Sequence, residues 1–511
     1  MSERAYIELK GICKSFGSVQ ANKNIDFSLR KGEIHALLGE NGSGKSTLVN
    51  MLSGIYVPDS GFIFMDGKET RFDSPNDALE AGIGMVHQHF KLVNVMTAKE
   101  NIALGQKKGF FLKPKQLTEE LNAIAKRYGL NLNPDKYIDE MSVSEQQTVE
   151  IMKMLYRGAD VLILDEPTAV LTPQEIEKFF AILRNMRDQG CSIVIITHKM
   201  NEVLEISDRV TILRKGESIA TVNTSETSAK DLTEMMVGYS IDLSINHTET
   251  PMELRKPLLT VEHLEIHGEN GAKIIDDISF RLFSGEVLGV AGIAASGQKE
   301  LCEAIVGLYD VAKGSVKLKD EELLSMSPVD IIKKGVSMSF VPEDRLGMGL
   351  VGSLDIVDNV LLKTYRDPKG LLVDRKAGEV AAKKIVEKFD VSTPSVHHQV
   401  KKLSGGNIQK VLLGREIDSD PQVLITAYPA RGLDIGAAYH IYNVINEQRE
   451  KGVGVLYIGE DLDVILELCD RIMVMSHGCI MKIVDAKSVT KEDLGLMMLG
   501  GTADVEEAHY A

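Results

Sequence analysis

The sequence predicts an α/β protein built from two copies of one domain. Short continuous runs of Val, Ile and Leu, such as 161–164 and 193–196, alternate with helix-like segments. Such runs suit strands of a sheet buried on both faces. A glycine-rich stretch, Gly39–Thr47, reads GENGSGKST between the apolar run Ile34–Leu38 and a helix-like run. Finally, the chain repeats itself. LLGENGSGKSTLVNMLSGIYVPDSG, starting at Leu37, resembles GVAGIAASGQKELCEAIVGLYDVAKG, starting at Gly289. Ser142 then pairs with Ser404 and Pro167 with Pro429, so the order of landmarks is kept.

The totals set the frame. With 511 residues, two or three domains with large cores fit. A formal net charge of −16 disfavours broad electrostatic binding to nucleic acid or anionic lipid. No apolar run approaches the ~18 residues of a membrane span. The opening MSERAYIELK has no signal-peptide core. Cys13, Cys191, Cys302, Cys469 and Cys479 form no C-x-x-C pair and read as reduced, partly buried thiols of a cytosolic protein.

The first copy is expected over 1–243 and the second over 258–504. A short polar linker, 244–257, carries Pro251 and Pro257. Within the first copy the pattern turns helical and polar between about Thr97 and Arg157, as a helical subdomain inserted into the α/β core would. Residues 505–511 read as an acidic, frayed tail.

The glycine-rich stretch fits the phosphate-loop pattern G-x-x-x-x-G-K-[ST] through Gly39, Gly44, Lys45 and Ser46. Backbone N–H groups from Gly39, Glu40, Asn41, Gly42, Ser43 and Gly44 are expected to close around phosphate oxygens. The following helix, entered through Thr47, aims its positive end at them. Lys45 would bridge the β- and γ-phosphates, and the Ser46 hydroxyl would bind Mg²⁺. Asp165 and Glu166 end the apolar strand VLIL, where a carboxylate faces the ligand crevice of an open sheet. Asp165 is placed to hold Mg²⁺, and Glu166 to orient or deprotonate an attacking water. His198 ends IVIITH and is expected to bond the γ-phosphate and fix Glu166. Gln88, in MVHQHF, is expected to reach Mg²⁺ or the lytic water. Its neighbours His87 and His89 lack the Cys or carboxylate set that a transition-metal site needs. Phe16, in CKSFG, is placed to stack on adenine, with a core aromatic as the alternative.

Phosphate loop, glutamine loop, serine signature, LILDEPTA and ITH occur in the order found in the ABC ATPase family, which the chain resembles over essentially its whole length, twice. The resemblance implies ATP and Mg²⁺ as cofactors. It implies two domains held head to tail, each ATP lying between one domain's phosphate loop and the other's signature.

The copies differ in chemistry. Gln298 and Lys299 stand where the first copy has Lys45 and Ser46. Ala427 and Tyr428 replace Asp165 and Glu166, Glu343 stands near the Gln88 position, and Glu460 replaces His198. Glu343 and Glu460 would set negative charge beside phosphates. The signature shows the reverse. The second copy reads LSGGN, Leu403 to Asn407, whereas the first reads MSVSEQ, with Val143 and Ser144 in place of glycines. Asp434 in the second copy stands where the first has Thr172. By the family arrangement, one site joins Lys45, Ser46, Asp165, Glu166 and His198 to Ser404, Gly405, Gly406 and Asn407, and is complete. The other is broken on both faces.

This layout resembles the fused ATPase subunit of bacterial importers for simple sugars and nucleosides. GIGMVHQHFKLV, FVPEDR and LSGGNIQKV are similar to the nucleoside-type branch. The resemblance implies two integral-membrane permease subunits, an extracytoplasmic substrate-binding protein and a peripheral place at the cytoplasmic face of the membrane. A monosaccharide importer is the nearest alternative. A soluble twin-domain factor for ribosomes or DNA is the more distant one, disfavoured by the short linker, acidic chain and degenerate site.

Overall fold

The computed structural model describes residues 5–17, 19–88, 90–105, 114–169, 171–238, 245, 255–268, 270–293, 295–340, 349–363, 365, 373–431, 433–503 and 505–508. The chain forms two compact units, Met1–Ile241 and Asp242–Ala511.

In the first unit, β1 (Ala5–Phe16), β2 (Val19–Arg30), β3 (Ile34–Leu38), β4 (Ser60–Met65), β5 (Lys68–Thr70), β6 (Ile83–Val86), β7 (Val161–Asp165), β8 (Ser192–Thr197), β9 (Arg209–Arg214) and β10 (Glu217–Asn223) form two sheets. The order β2-β1-β4-β5 is antiparallel. The order β10-β9-β3-β8-β7-β6 is parallel except for β10. Every residue of β3 and β8 is buried, as their unbroken apolar runs require. Leu48, Val49, Met51 and Leu52 of the helix Lys45–Leu52 pack between the two sheets. The insertion is helical, with Ala98–Ala103, Pro114–Tyr128 and Val143–Tyr156. Leu117, Leu121 and Met152 pack there in one cluster with Leu162 of β7.

The second unit repeats this plan through β11 (Pro257–His267), β12 (Lys273–Phe283), β13 (Val287–Gly292), β14 (Lys313–Leu318), β15 (Glu321–Glu322), β16 (Val336–Phe340), β17 (Val423–Ala427), β18 (Gly454–Ile458), β19 (Arg471–Ser476) and β20 (Cys479–Asp485). Its sheets run β12-β11-β14-β15 and β20-β19-β13-β18-β17-β16, the same orders strand for strand.

Buried charge repeats as well. In the first unit Arg209 Nε donates to Glu33 Oε1 at 2.8 Å, and His35 bridges Glu33 and Thr211 at 2.7 and 2.8 Å. In the second, Arg471 Nε donates to Glu286 at 2.7 Å.

Two expectations change. The segment read as a linker is built into the second unit at the points described. Ile245 N donates to Glu467 Oε1 at 3.1 Å, and Arg255 meets Asp470 at 2.9 Å. The tail is not simply frayed. Ala508 N donates to Ile483 O at 2.8 Å, and Val505 packs on the core, because the chain there finds backbone and apolar partners along β20. Cys191, Cys302 and Cys469 are buried and all five thiols are free. No described helix is long and apolar enough to cross a membrane.

Candidate active site

The phosphate loop runs from the end of β3 into the helix Lys45–Leu52. A Cβ at Gly39 would lie 2.4 Å from Leu213 O and 2.5 Å from Ser43 Oγ. Gly44, at φ 100°, caps the helix, and a Cβ there would lie 2.5 Å from Ala21 O. Both glycines are therefore required by close approach, not only by flexibility. The buried Lys45 Nζ donates to Gly39 O at 2.6 Å and Glu40 O at 2.9 Å, so the loop curls around its ammonium. Burial pulls its pKa down, and the nearby carboxylates of Glu166, Asp165 and Glu40 oppose that. Ser43 Oγ is buried without a hydrogen-bond partner among the described residues. Ser46 is exposed at the helix start.

Asp165 and Glu166 stand at the end of β7. Burial, then the neighbouring Glu166 charge, pushes the Asp165 pKa up. Glu166 sits at φ 46° with its N–H donating to Ile196 O at 2.9 Å. This left-handed turn carries its side chain away from the strand's alternation. Its carboxylate is held from two sides: His198 Nδ1 lies 3.0 Å from Oε1, and Gln88 Nε2 donates to Oε2 at 3.1 Å. The hydrogen bond with His198 is the main reason its pKa falls. Glu202 braces the shell behind, accepting from Thr168 Oγ1 at 2.6 Å.

The fold thus gathers Lys45, Asp165, Glu166, His198 and Gln88 at the carboxyl ends of β3, β6, β7 and β8. Phe16 is exposed, with its ring edge-on to Tyr56 at 5.2 Å, so the core-aromatic alternative does not hold. His89 and Glu343 lie outside the described residues. No cluster of three or more His, Cys, Asp or Glu that could hold a metal occurs among the described residues. Ser46 at the helix start and Asp165 at the end of β7 offer oxygen donors of the kind hard divalent cations take. Sequence reasoning missed Asn22, whose Nδ2 donates to Gly44 O at 3.2 Å and props the loop. Its only signal was an asparagine inside a strand, far from the motif.

In the second unit the glycine cap of the helix survives and the side-chain chemistry beside it does not. Gly297, at φ 94°, caps its helix as Gly44 does. Gln298 Nε2 donates to Ile293 O at 3.1 Å, taking the place of the lysine with a neutral group. Tyr428 keeps the left-handed turn of Glu166, at φ 54°, with N–H to Ile458 O at 2.8 Å. Arg431 lies over its ring and pairs with Glu460 at 3.3 Å. Glu460 is thus not the bare negative charge expected, because Arg431 offsets it.

The signature helix of the second unit, Gly405–Asp418, is capped by Ser404, whose Oγ accepts from Asn407 Nδ2 at 2.8 Å. The first unit's counterpart, Val143–Tyr156, is capped by Ser142 with Glu145, and Lys136 Nζ donates to Glu145 at 2.8 Å. Val143 and Ser144 put side chains where Gly405 and Gly406 leave bare backbone. Thr172 and Asp434 both cap helices, at Pro173–Asp188 and Ile435–Glu450.

The family model for ABC transporters matches residues 22–169 and 275–429, one segment in each unit. The chain belongs to the ABC transporter family. It is similar to the nucleoside import ATP-binding protein NupA of Lactococcus lactis, with 42% identity covering 98% of this chain and 99% of that protein. It is 40% identical to the glucose import ATP-binding protein TsgD13 of Haloferax volcanii, over 98% of this chain and 97% of that one. It is 41% identical to the guanosine import ATP-binding protein NupO of Bacillus subtilis, over 97% and 98%. As a tandem ATP-binding protein of the family it is an ABC ATPase.

Proposed function

We propose that this chain is the motor of an importer for nucleosides and hydrolyses ATP at one composite site. The observation that carries the reading is the Glu166 carboxylate. It is held between His198 and Gln88 beside the phosphate loop, while its counterpart is Tyr428, packed under Arg431. In the working site Lys45 exchanges the carbonyls of Gly39 and Glu40 for phosphate oxygens. Phe16 stacks on the base, and the loop N–H groups of Gly39–Gly44 cradle the phosphates. Glu166 takes a proton from water as it attacks the γ-phosphorus in line, and His198 and Gln88 fix the carboxylate for that transfer. Ser46 and Asp165 would hold Mg²⁺, which when bound draws charge off the phosphate oxygens.

The second unit contributes Ser404 and the bare backbone of Gly405–Asn407 to that ATP, by the family's head-to-tail arrangement. The partners are two integral-membrane permease subunits and an extracytoplasmic binding protein, with this chain peripheral at the cytoplasmic face. Nucleosides are favoured as cargo by two of the three relatives above, both named for nucleoside or guanosine import. A glucose-type cargo is the second reading, favoured by the third.

Uptake by the assembled transporter in proteoliposomes tests this. ATP-dependent accumulation of guanosine, with none of glucose, is expected. Glucose uptake without nucleoside uptake would overturn the cargo, and recovery of the chain on ribosomes rather than permeases would overturn the importer.

A further inference from the structure

Behind the Glu166 carboxylate, one buried side chain ties together the two turns that meet there. Glu202 lies on the helix Met200–Ile206. Its Oε2 accepts from Thr168 Oγ1 at 2.6 Å and from Thr197 Oγ1 at 3.5 Å, and its Oε1 meets Lys199 Nζ at 3.0 Å. Thr168 follows Glu166 and Pro167, whereas Thr197 and Lys199 flank His198. Lys199 N donates to Thr197 Oγ1 at 3.1 Å, and Lys199 Nζ reaches Thr168 O at 3.4 Å. The His198 ring is exposed, and its turn is held through these neighbours.

The second unit separates what the fold needs from what this network adds. It makes the same left-handed turn at Tyr428 and starts the matching helix, Leu462–Leu468. It also keeps the buried glutamine that ties the signature helix to that turn. Gln147 Nε2 donates to Pro167 O at 2.9 Å, and Gln409 Nε2 donates to Pro429 O. Yet Ala430, Gly459, Asp461 and Val464 stand where the first unit has Thr168, Thr197, Lys199 and Glu202. Both hydroxyls, the lysine and the carboxylate are replaced together, and Val464 packs into the core. The backbone therefore forms without the network. Burying a carboxylate costs free energy that burying an apolar side chain does not. That cost is kept in the unit where Glu166 and His198 meet at 3.0 Å.

We infer that Glu202 is a positioning residue for hydrolysis: with Thr168 and Thr197 it sets the spacing of the Glu166 and His198 turns, and so the aim of the carboxylate at the attacking water. This rests on the reading of Glu166 as the base. Glu202 itself touches neither water nor phosphate in this role. It acts by keeping the reacting groups from drifting, and a drift of about 1 Å can cost about a hundredfold in rate.

The test compares ATP hydrolysis, ATP binding and thermal melting of the assembled transporter carrying Thr168→Ala or Thr168→Ser. The first is the second unit's own residue at that place, and the second keeps the hydroxyl. Thr168→Ala should lower kcat about ten- to a hundredfold with ATP affinity within about twofold, and Thr168→Ser should restore most of the rate. Glu202→Val should bring a loss of the same order, and adding Thr168→Ala to it should cost little more. In a His198→Ala background Thr168→Ala should likewise cost much less than it does alone, because the pair it aligns is already broken. An unchanged kcat in Thr168→Ala, or a loss fully additive with that of His198→Ala, would overturn the inference, and with Glu166→Gln inactive it would leave Glu166 as the base. Turnover retained by Glu166→Gln would overturn that reading and this inference with it.

Discussion

Glu166, the proposed base, owes its ionised state to its neighbours. Asp165 beside it is pushed up by burial, whereas the hydrogen bond with His198 draws Glu166 down. Glu166 is therefore ionised throughout the neutral range, its carboxyl held below the ordinary carboxylate value. Glu166→Gln removes the proton acceptor and keeps the shape. Turnover should fall by roughly 10²–10⁴-fold while ATP is still bound, measured as phosphate release beside nucleotide binding. Steady hydrolysis by this variant would remove Glu166 from its role. His198→Ala takes away the group that lowers the Glu166 pKa. The acid limb of the kcat profile should then move to higher pH, because the freed carboxylate is protonated sooner. An unmoved limb with reduced kcat would leave His198 acting only on phosphate. The places of Lys45, Asp165, Glu166 and His198 at one end of the sheet were legible in sequence because each follows an apolar strand or a glycine loop. Asn22 and Glu202 were not, since they act on backbone or on second partners that only folding brings near.

Among the elements, the strands buried on both faces were the readable ones. β3, β7 and β8 announce themselves as unbroken apolar runs, and the helical insertion by its change of period. The antiparallel sheet was not foreseen. β1 mixes buried and half-buried positions and slips register against β2 at several places, which breaks the alternation a strand pattern relies on. Beneath β3 and β9 sits a buried ionic knot. Burial pushes Glu33 up, but hydrogen bonds from His35 and Arg209 outweigh it and hold the carboxyl at about 2. Burial in turn pulls His35 down. A carboxylate depressed in the fold stabilises above its unfolded pKa of 4.5 and loses that contribution as pH falls towards about 2. Glu33→Gln should therefore cost the first unit on the order of 3 kcal/mol at neutral pH, with the difference closing as pH drops through this window. Denaturant melts at pH 7 and pH 3 measure it. An equal penalty at both would mean the loss is one of packing.

At the scale of the whole molecule, duplication followed by divergence explains what the sequence showed and what it hid. The order of motifs and the paired losses were readable because a glycine or a carboxylate is either present or replaced. The compensations were not. Arg431 answering Glu460, and Arg255 pairing with Asp470, link residues far apart in the chain. The two signature helices carry the sharpest consequence. Both begin with a serine cap, so both fold alike, yet only Gly405 and Gly406 leave the helix start bare. If the one working ATP is shared between the first unit's loop and this helix, Ser404→Arg should abolish hydrolysis in the assembled transporter, although Ser404 belongs to the unit without a catalytic base. Ser144→Arg, at the matching helix of the first unit, should leave hydrolysis within about twofold, since the position is only half-buried and lies outside the proposed ATP seam. Ser144→Arg keeps its helix cap, Ser142, whereas Ser404→Arg removes one, so circular dichroism melts of both variants are needed to separate misfolding from loss of chemistry. Equal loss from the two changes would show two seams turning over, and loss from Ser144→Arg alone would place the triphosphate on the first unit's own signature.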